Sequence, residues 1–149
     1  MCANIVTAYF SPTKLTTIIV DRSKSGFAAI LAQPIGRHGE MHVISYGSRS
    51  VTPAEFRYSQ IELETLACVF ACERFHRYTY REGFFLVTDN KVLEFILGNS
   101  IAKLPARIER LSMRLQPYKF RVKHTSAASN PSDYLSRHPV GEVMVTERL

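Results

Sequence analysis

Thr17-Ile18-Ile19-Val20-Asp21 and Phe84-Phe85-Leu86-Val87-Thr88-Asp89 are the two stretches that decide the fold. Each is an apolar run that closes on an aspartate. Such runs read as strands buried on both faces. A carboxylate at the end of a buried strand is costly to desolvate unless something pairs with it. A single such aspartate is ordinarily a helix or turn cap. Two carry more weight here because aspartate is scarce: the chain has ten Glu but only three Asp, at Asp21, Asp89 and Asp133. The pair points to a shared carboxylate site.

Working outward, Thr16 to Asp21 is a first strand and Ser23-Lys24-Ser25-Gly26 a turn. Phe27 to Gln33 is a second strand, Pro34 to Gly39 a loop and Met41 to Ser48 a third strand. The short links predict an antiparallel meander. Thr52-Pro53-Ala54-Glu55 resembles a helix start. A long helix then runs from Ser59 to about Arg77, with Leu63, Leu66, Ala67, Phe70 and Arg74 at helical spacing. Phe84 to Thr88 is the fourth strand. Asn90 to Leu97 is a short helix ended by Gly98. Pro105 to Gln116 is another, closed by Pro117. Lys119 to Lys123 is the fifth strand, and Asn130 to Arg137 a last short helix. This order predicts an α/β fold: a five-stranded mixed sheet, meander first, with helices on both faces. The first and fourth strands can then lie side by side, bringing Asp21 and Asp89 together. Glu62 and Glu64 are both candidates to join them from the long helix. Two residues apart is about 200° of helix, so only one can face the site. Glu64 shares its face with the small residues Ala67, Cys68 and Ala71, which favours it.

The chain has 149 residues, enough for one domain, taken as residues 1–139 with a patternless tail at 140–149. It is 46% hydrophobic and 21% charged, which excludes disorder throughout. No apolar run approaches the roughly 18 residues of a membrane span, and no secretory signal is visible. Three Cys do not make a disulfide framework. A reducing compartment, cytoplasmic or nuclear, is expected. Cys68 and Cys72, four apart on a helix, read as small core residues. The net charge of +6 favours a polyanionic partner, nucleic acid being the commonest.

Several segments together resemble a known family. These are Ala8-Tyr9-Phe10-Ser11-Pro12, Val20 to Lys24, Ser45-Tyr46-Gly47-Ser48-Arg49, Thr52-Pro53-Ala54-Glu55 with Tyr58-Ser59, and Leu63-Glu64-Thr65-Leu66-Ala67. Val87-Thr88-Asp89-Asn90-Lys91, Arg114-Leu115-Gln116-Pro117-Tyr118 and Asn130 to Pro139 complete the set. From Ala8 to Pro139 the chain resembles the ribonuclease H domain of the pol polyprotein of gypsy-type LTR retrotransposons. The resemblance implies the RNase H-like fold and a site of four carboxylates, Asp21, Glu64, Asp89 and Asp133. It implies cleavage of the RNA strand of RNA–DNA hybrids, a reverse transcriptase domain in a longer polyprotein, and Asn90 and Lys91 beside the substrate.

Phosphodiester hydrolysis needs an activated water and a stabilised leaving oxygen. Two divalent ions can supply both. Carboxylates are hard ligands that suit Mg²⁺, or Mn²⁺ in its place, rather than Zn²⁺. No Cys/His spacing reads as a zinc site, and no small-molecule cofactor is expected. Arg107, Arg110 and Arg114 form a basic stripe opposite Ile108, Leu111 and Leu115, suited either to a phosphate backbone or to plain solvation. His124 follows the fifth strand, where a proton carrier can assist turnover.

Three features depart from the family pattern. Arg22 stands where the family has a small Ala, and strand alternation sends its side chain to the face opposite Asp21. Gly26-Phe27-Ala28-Ala29 lacks a second Gly, and Thr125 to Ser129 replaces a Gly- and Lys-bearing loop. An alternative from another class is therefore a catalytically silent nucleic-acid-binding module. An integrase or transposase core ranks third, because that class carries its last carboxylate as a Glu.

Overall fold

A computed structural model describes residues 9–35, 40–98 and 103–126. Its strands are β1 (Thr16–Arg22), β2 (Gly26–Ile35), β3 (Glu40–Ser50), β4 (Phe84–Thr88) and β5 (Phe120–His124). The meander forms as its short links require, with β1–β2 and β2–β3 antiparallel. β4 joins β1 in parallel and β5 joins β4 in parallel. The order β3-β2-β1-β4-β5 puts β1 at the centre. The helices are α1 (Gln60–Arg74), α2 (His76–Thr79), α3 (Lys91–Gly98) and α4 (Ala106–Met113).

Period-two alternation sorts the core onto two sides of the sheet. Ile18 and Val20 of β1, Ala29 and Leu31 of β2, and Leu86 of β4 pack with Leu66, Ala67 and Cys68 of α1 and with Leu93 of α3. Ile19, Ile30, Val43 and Val87 cluster on the other side. The helix expected at Asn130 to Arg137, the domain end at residue 139 and the tail at 140–149 lie outside the described residues.

Local differences from the sequence pattern have local causes. β2 continues through Pro34 instead of stopping at Gln33. Its β1 partner has run out by then, the register ending at Thr17↔Ala32, and an unpaired flank is where a strand tolerates a residue without an N–H. Thr52 to Glu55 opens only a 3₁₀ turn, Glu55–Arg57. α1 starts where expected, Ser59 and Glu62 forming a capping box. It breaks at Phe75, which is buried at 1% exposure and leaves helical geometry at φ −107° and ψ 26°. No Pro or Gly signals that break. After α4 the backbone tightens to Arg114–Leu111, Leu115–Ser112 and Gln116–Met113 bonds as Pro117 approaches.

The 3₁₀ turn is locked to the meander. Arg49 Nη1 and Nη2 donate to Glu55 Oε1 and Oε2 at 2.8 and 2.9 Å, and Thr52 N–H donates to Oε1 at 2.9 Å. The Arg49 fork, with lesser help from Thr52, holds the Glu55 carboxyl down from 4.5 to about 2. Its folded value is the lower one, so the stabilisation is complete above about pH 4.5 and is lost as pH falls towards 2. Glu55→Gln should therefore lower the urea midpoint near neutral pH, and its deficit against wild type should close across that acid window. A deficit of constant size would remove the ion pair from the account.

Candidate active site

The parallel register places the first two carboxylates. Ile19 stands opposite Val87, and Asp21 and Asp89 each follow two residues later. Both therefore emerge at one end of two neighbouring strands. The Ser59 cap fixes where α1 begins, and so which of its residues meets that end. Glu64 is buried on the sheet-facing side with Leu63, Ala67, Cys68 and Ala71, as the small-residue pattern requires. Glu62 turns away, held by the Ser59 N–H at 2.8 Å and by Arg107 Nη1 at 3.1 Å.

The three carboxylates sense one another. Burial pushes the Asp21 carboxyl up, the Arg22 backbone N–H pulls it down, and the charge of Asp89 pushes it up again. Burial also raises Glu64. The Arg22 guanidinium opposes that rise, while Asp89 and Asp21 add to it. This is the signature of like charges drawn together in a partly desolvated place. Hard oxygen donors of this kind suit Mg²⁺ or Mn²⁺ in chemistry. Their arrangement is incomplete: among the described residues no three His, Cys, Asp or Glu side chains stand together closely enough to hold a metal ion.

Arg22 is the feature that sequence reasoning left unresolved. Its side chain leaves β1 on the helix side, as alternation predicts. There its Nε donates to Glu64 Oε1 at 2.9 Å, with side-chain exposures of 16% and 10%. Its Nη1 reaches the Ser23 carbonyl at 3.4 Å. Alternation gave the direction, but nothing local in the sequence gave a partner 42 residues away.

The other expected residues divide. Asp133 lies outside the described residues. His124 ends β5 in register with Thr88, beside the strand end that carries Asp89, and its backbone N–H donates to Glu94 Oε2 at 2.8 Å. Asn90 Oδ1 accepts the Val92 N–H at 2.9 Å, which ties Asn90 to the start of α3, and Lys91 is exposed at the first turn. The arginine stripe is not uniformly free. Arg107 bonds Glu62 and lies 4.2 Å from the Tyr58 ring centroid. Arg114 forms a fork on Glu73 at 3.0 and 2.5 Å. Arg110 is exposed, with no ion pair among the described residues. Cys68 and Cys72 are core thiols whose pKa burial drives up.

The mixed five-stranded sheet with its helices is an RNase H-like fold. The sequence model of the family described as "RNase H-like domain found in reverse transcriptase" matches residues 11–118, and the chain belongs to that family. It is 30% identical over 130 residues to the retrovirus-related Pol polyprotein from transposon 297 of Drosophila melanogaster, covering 87% of this chain and 12% of that protein. It is 29% identical over 127 residues to the corresponding polyprotein from transposon 412 of the same organism, covering 85% and 10%. The chain thus spans only about a tenth of the length of these relatives. Among solved structures, the N-terminal RNase H domain of a Mycobacterium tuberculosis protein superposes with a TM-score of 0.61 at 12% identity, covering 84% of this chain and 92% of that one. RNase H1 of Halobacterium salinarum gives 0.55 at 13% identity, covering 88% and 98%. A foamy viral protease-reverse transcriptase solved with RNA/DNA hybrid gives 0.56 at 12% identity, covering 76% and 16%. These structural likenesses establish the fold.

Crowded carboxylates work against folding when no cation is bound. Asp89→Asn removes one charge from the Asp21–Glu64–Asp89 group and leaves its shape. In chelator, the variant should unfold at a higher urea concentration than wild type. A lower midpoint would mean that Asp89 serves the fold rather than a site.

Proposed function

We propose that the chain is a ribonuclease H that cuts the RNA strand of RNA–DNA hybrids with Mg²⁺ or Mn²⁺. What supports this reading is the β1–β4 register that brings Asp21 and Asp89 to one sheet end, with Glu64 near enough to feel both charges, in a chain that belongs to the reverse transcriptase RNase H-like family. Asp133 is assigned as the fourth carboxylate on the sequence motif alone. Two divalent cations held by this set would activate a water and stabilise the leaving oxygen. The chain's own contribution is positional: the β1–β4 register and the Ser59 cap fix the carboxylates before substrate arrives. Arg110, Lys91 and Asn90 are assigned to the phosphate backbone, with Arg107 and Arg114 reaching it only by sharing or leaving Glu62 and Glu73. The Pol polyprotein relatives support a reverse transcriptase domain as the natural neighbour of this one in a longer chain, acting in the cytoplasm or nucleus. Among the described residues no helix is long and apolar enough to cross a membrane.

A second reading has its own observation. Arg22 occupies Glu64, which favours a nucleic-acid-binding module that does not cut. Incubation with a labelled RNA–DNA hybrid separates the two. Cleavage is expected with Mg²⁺ or Mn²⁺, none in chelator, and none for Asp89→Asn with its fold intact. Cleavage by the Asn variant at the wild-type rate would sink the site assignment. Binding without cleavage in either metal would establish the silent module.

His124 is assigned to turnover, where it can pass a proton to the leaving oxygen or assist product release. Its place beside the Thr88–Asp89 strand end supports the assignment. His124→Ala should lower kcat several-fold with hybrid affinity little changed, and the deficit should vary between about pH 6 and 8. A kcat within about twofold of wild type across that range would make His124 a surface residue.

A further inference from the structure

Arg22 places a cation in direct contact with the carboxylate group, through Glu64. It comes from the end of the central strand, directly after Asp21, so the backbone that presents one carboxylate also presents the counter-charge to another. The contact is well made. Nε donates to Glu64 Oε1 at 2.9 Å, both side chains are largely covered, and Nη1 rests on the Ser23 carbonyl at 3.4 Å. No other hydrogen bond to the Glu64 carboxylate is made among the described residues. Asp21 and Asp89 lie close enough for their charges to act on Glu64, yet the described residues hold no group of three donors able to take up an ion.

Resting on the nuclease reading of this site, we infer that Arg22 is a tethered cation that competes with divalent metal for Glu64. A guanidinium and a metal ion want the same oxygen and repel each other. A metal ion that used Glu64 would either displace the Nε–Oε1 bond or take the other carboxylate oxygen, and in both cases would sit beside the guanidinium charge. Its hydrogen bonds among the described residues are that one to α1 and a long one to the next residue's carbonyl. Arg22 thus acts through Glu64 as a positioning residue that sets the metal concentration at which the site fills. In metal-free protein it holds the carboxylate that would otherwise face Asp21 and Asp89 uncompensated.

The test is Mn²⁺ binding by the full chain without nucleic acid, followed by paramagnetic resonance and calorimetry. Arg22→Ala and Arg22→Gln should bind Mn²⁺ at least about fivefold more tightly than wild type, and their Tm should rise more on adding Mn²⁺. Arg22→Lys keeps the charge and should stay near wild type. In a Glu64→Gln background the Arg22 substitutions should no longer change affinity, because the residue through which they act is gone. Far-UV circular dichroism checks that each variant is folded, and the Gln variant preserves most of the Arg22 stem. Equal Mn²⁺ affinity in wild type and the neutral variants overturns the inference, as does a gain that persists without Glu64, or an absence of Mn²⁺ binding in every variant. The nuclease reading fails separately. If the neutral variants gain Mn²⁺ affinity and still leave the hybrid uncut, the competition stands and the activity does not. If affinity is equal and the hybrid is cut, the reverse holds.

Discussion

Everything at the candidate site depends on the parallel register between β1 and β4. Parallel neighbours cannot be joined by a tight turn, so the chain must leave the sheet and return. Here it spends β2, β3, α1 and α2 before β4 docks on β1. The register is held by apolar packing on both faces, Ile18 and Val20 on one and Ile19 and Val87 on the other. A slip by one residue would turn Ile19 towards the helices and Asp21 with it. The hydrophobic core therefore performs an electrostatic task. It forces Asp21 and Asp89 to the same end of adjacent strands although their charges oppose that placement.

Much of this was legible in the sequence, because strong periodicity and punctuation agreed. The two runs ending in Asp21 and Asp89 marked the central strands, and helical spacing uninterrupted by Pro or Gly marked α1 from Ser59. The small residues Ala67, Cys68 and Ala71 told Glu64 from Glu62. What was not legible depends on partners distant in sequence. Phe75 interrupts the long helix with its ring buried, and neither Pro nor Gly announces it. Pro34 stays in a strand because the flanking strand has ended. Arg107 and Arg114 lie on one helix at good spacing for a stripe, and their helix alone could not tell that Glu62 and Glu73 on α1 would claim them.

Those pairings qualify the meaning of the net charge. A formal +6 invites the picture of free cations waiting for phosphate. Yet Arg22, Arg49, Arg107 and Arg114 each engage a glutamate of this chain. Three of those four glutamates belong to α1, and the fourth to the turn that leads into it. The arginines therefore tie α1, which carries Glu64, to β1 and α4, and the turn before α1 to β3. Positive charge here serves first to seat the helix. Attraction for a polyanion rests on what remains exposed, such as Arg110 and Lys91.

Arg22 differs from the other three in where its charge falls. At Arg49, Arg107 and Arg114 the ion pair engages Glu55, Glu62 and Glu73, none of them a carboxylate of the candidate site. At Arg22 the same bond reaches into the carboxylate group, where stability and metal uptake pull in opposite directions. A gathering of like charges can be relieved by protonation, by a bound cation or by a cation built into the chain. Burial and mutual repulsion already push Asp21 and Glu64 towards the first of these, and Arg22 supplies the third. Each measure that settles the metal-free protein weakens the drive to take up the second. A small residue at position 22 would leave that drive intact at some loss of metal-free stability. On the inference drawn above, the guanidinium would exchange part of the metal affinity for a metal-free carboxylate group that is already compensated.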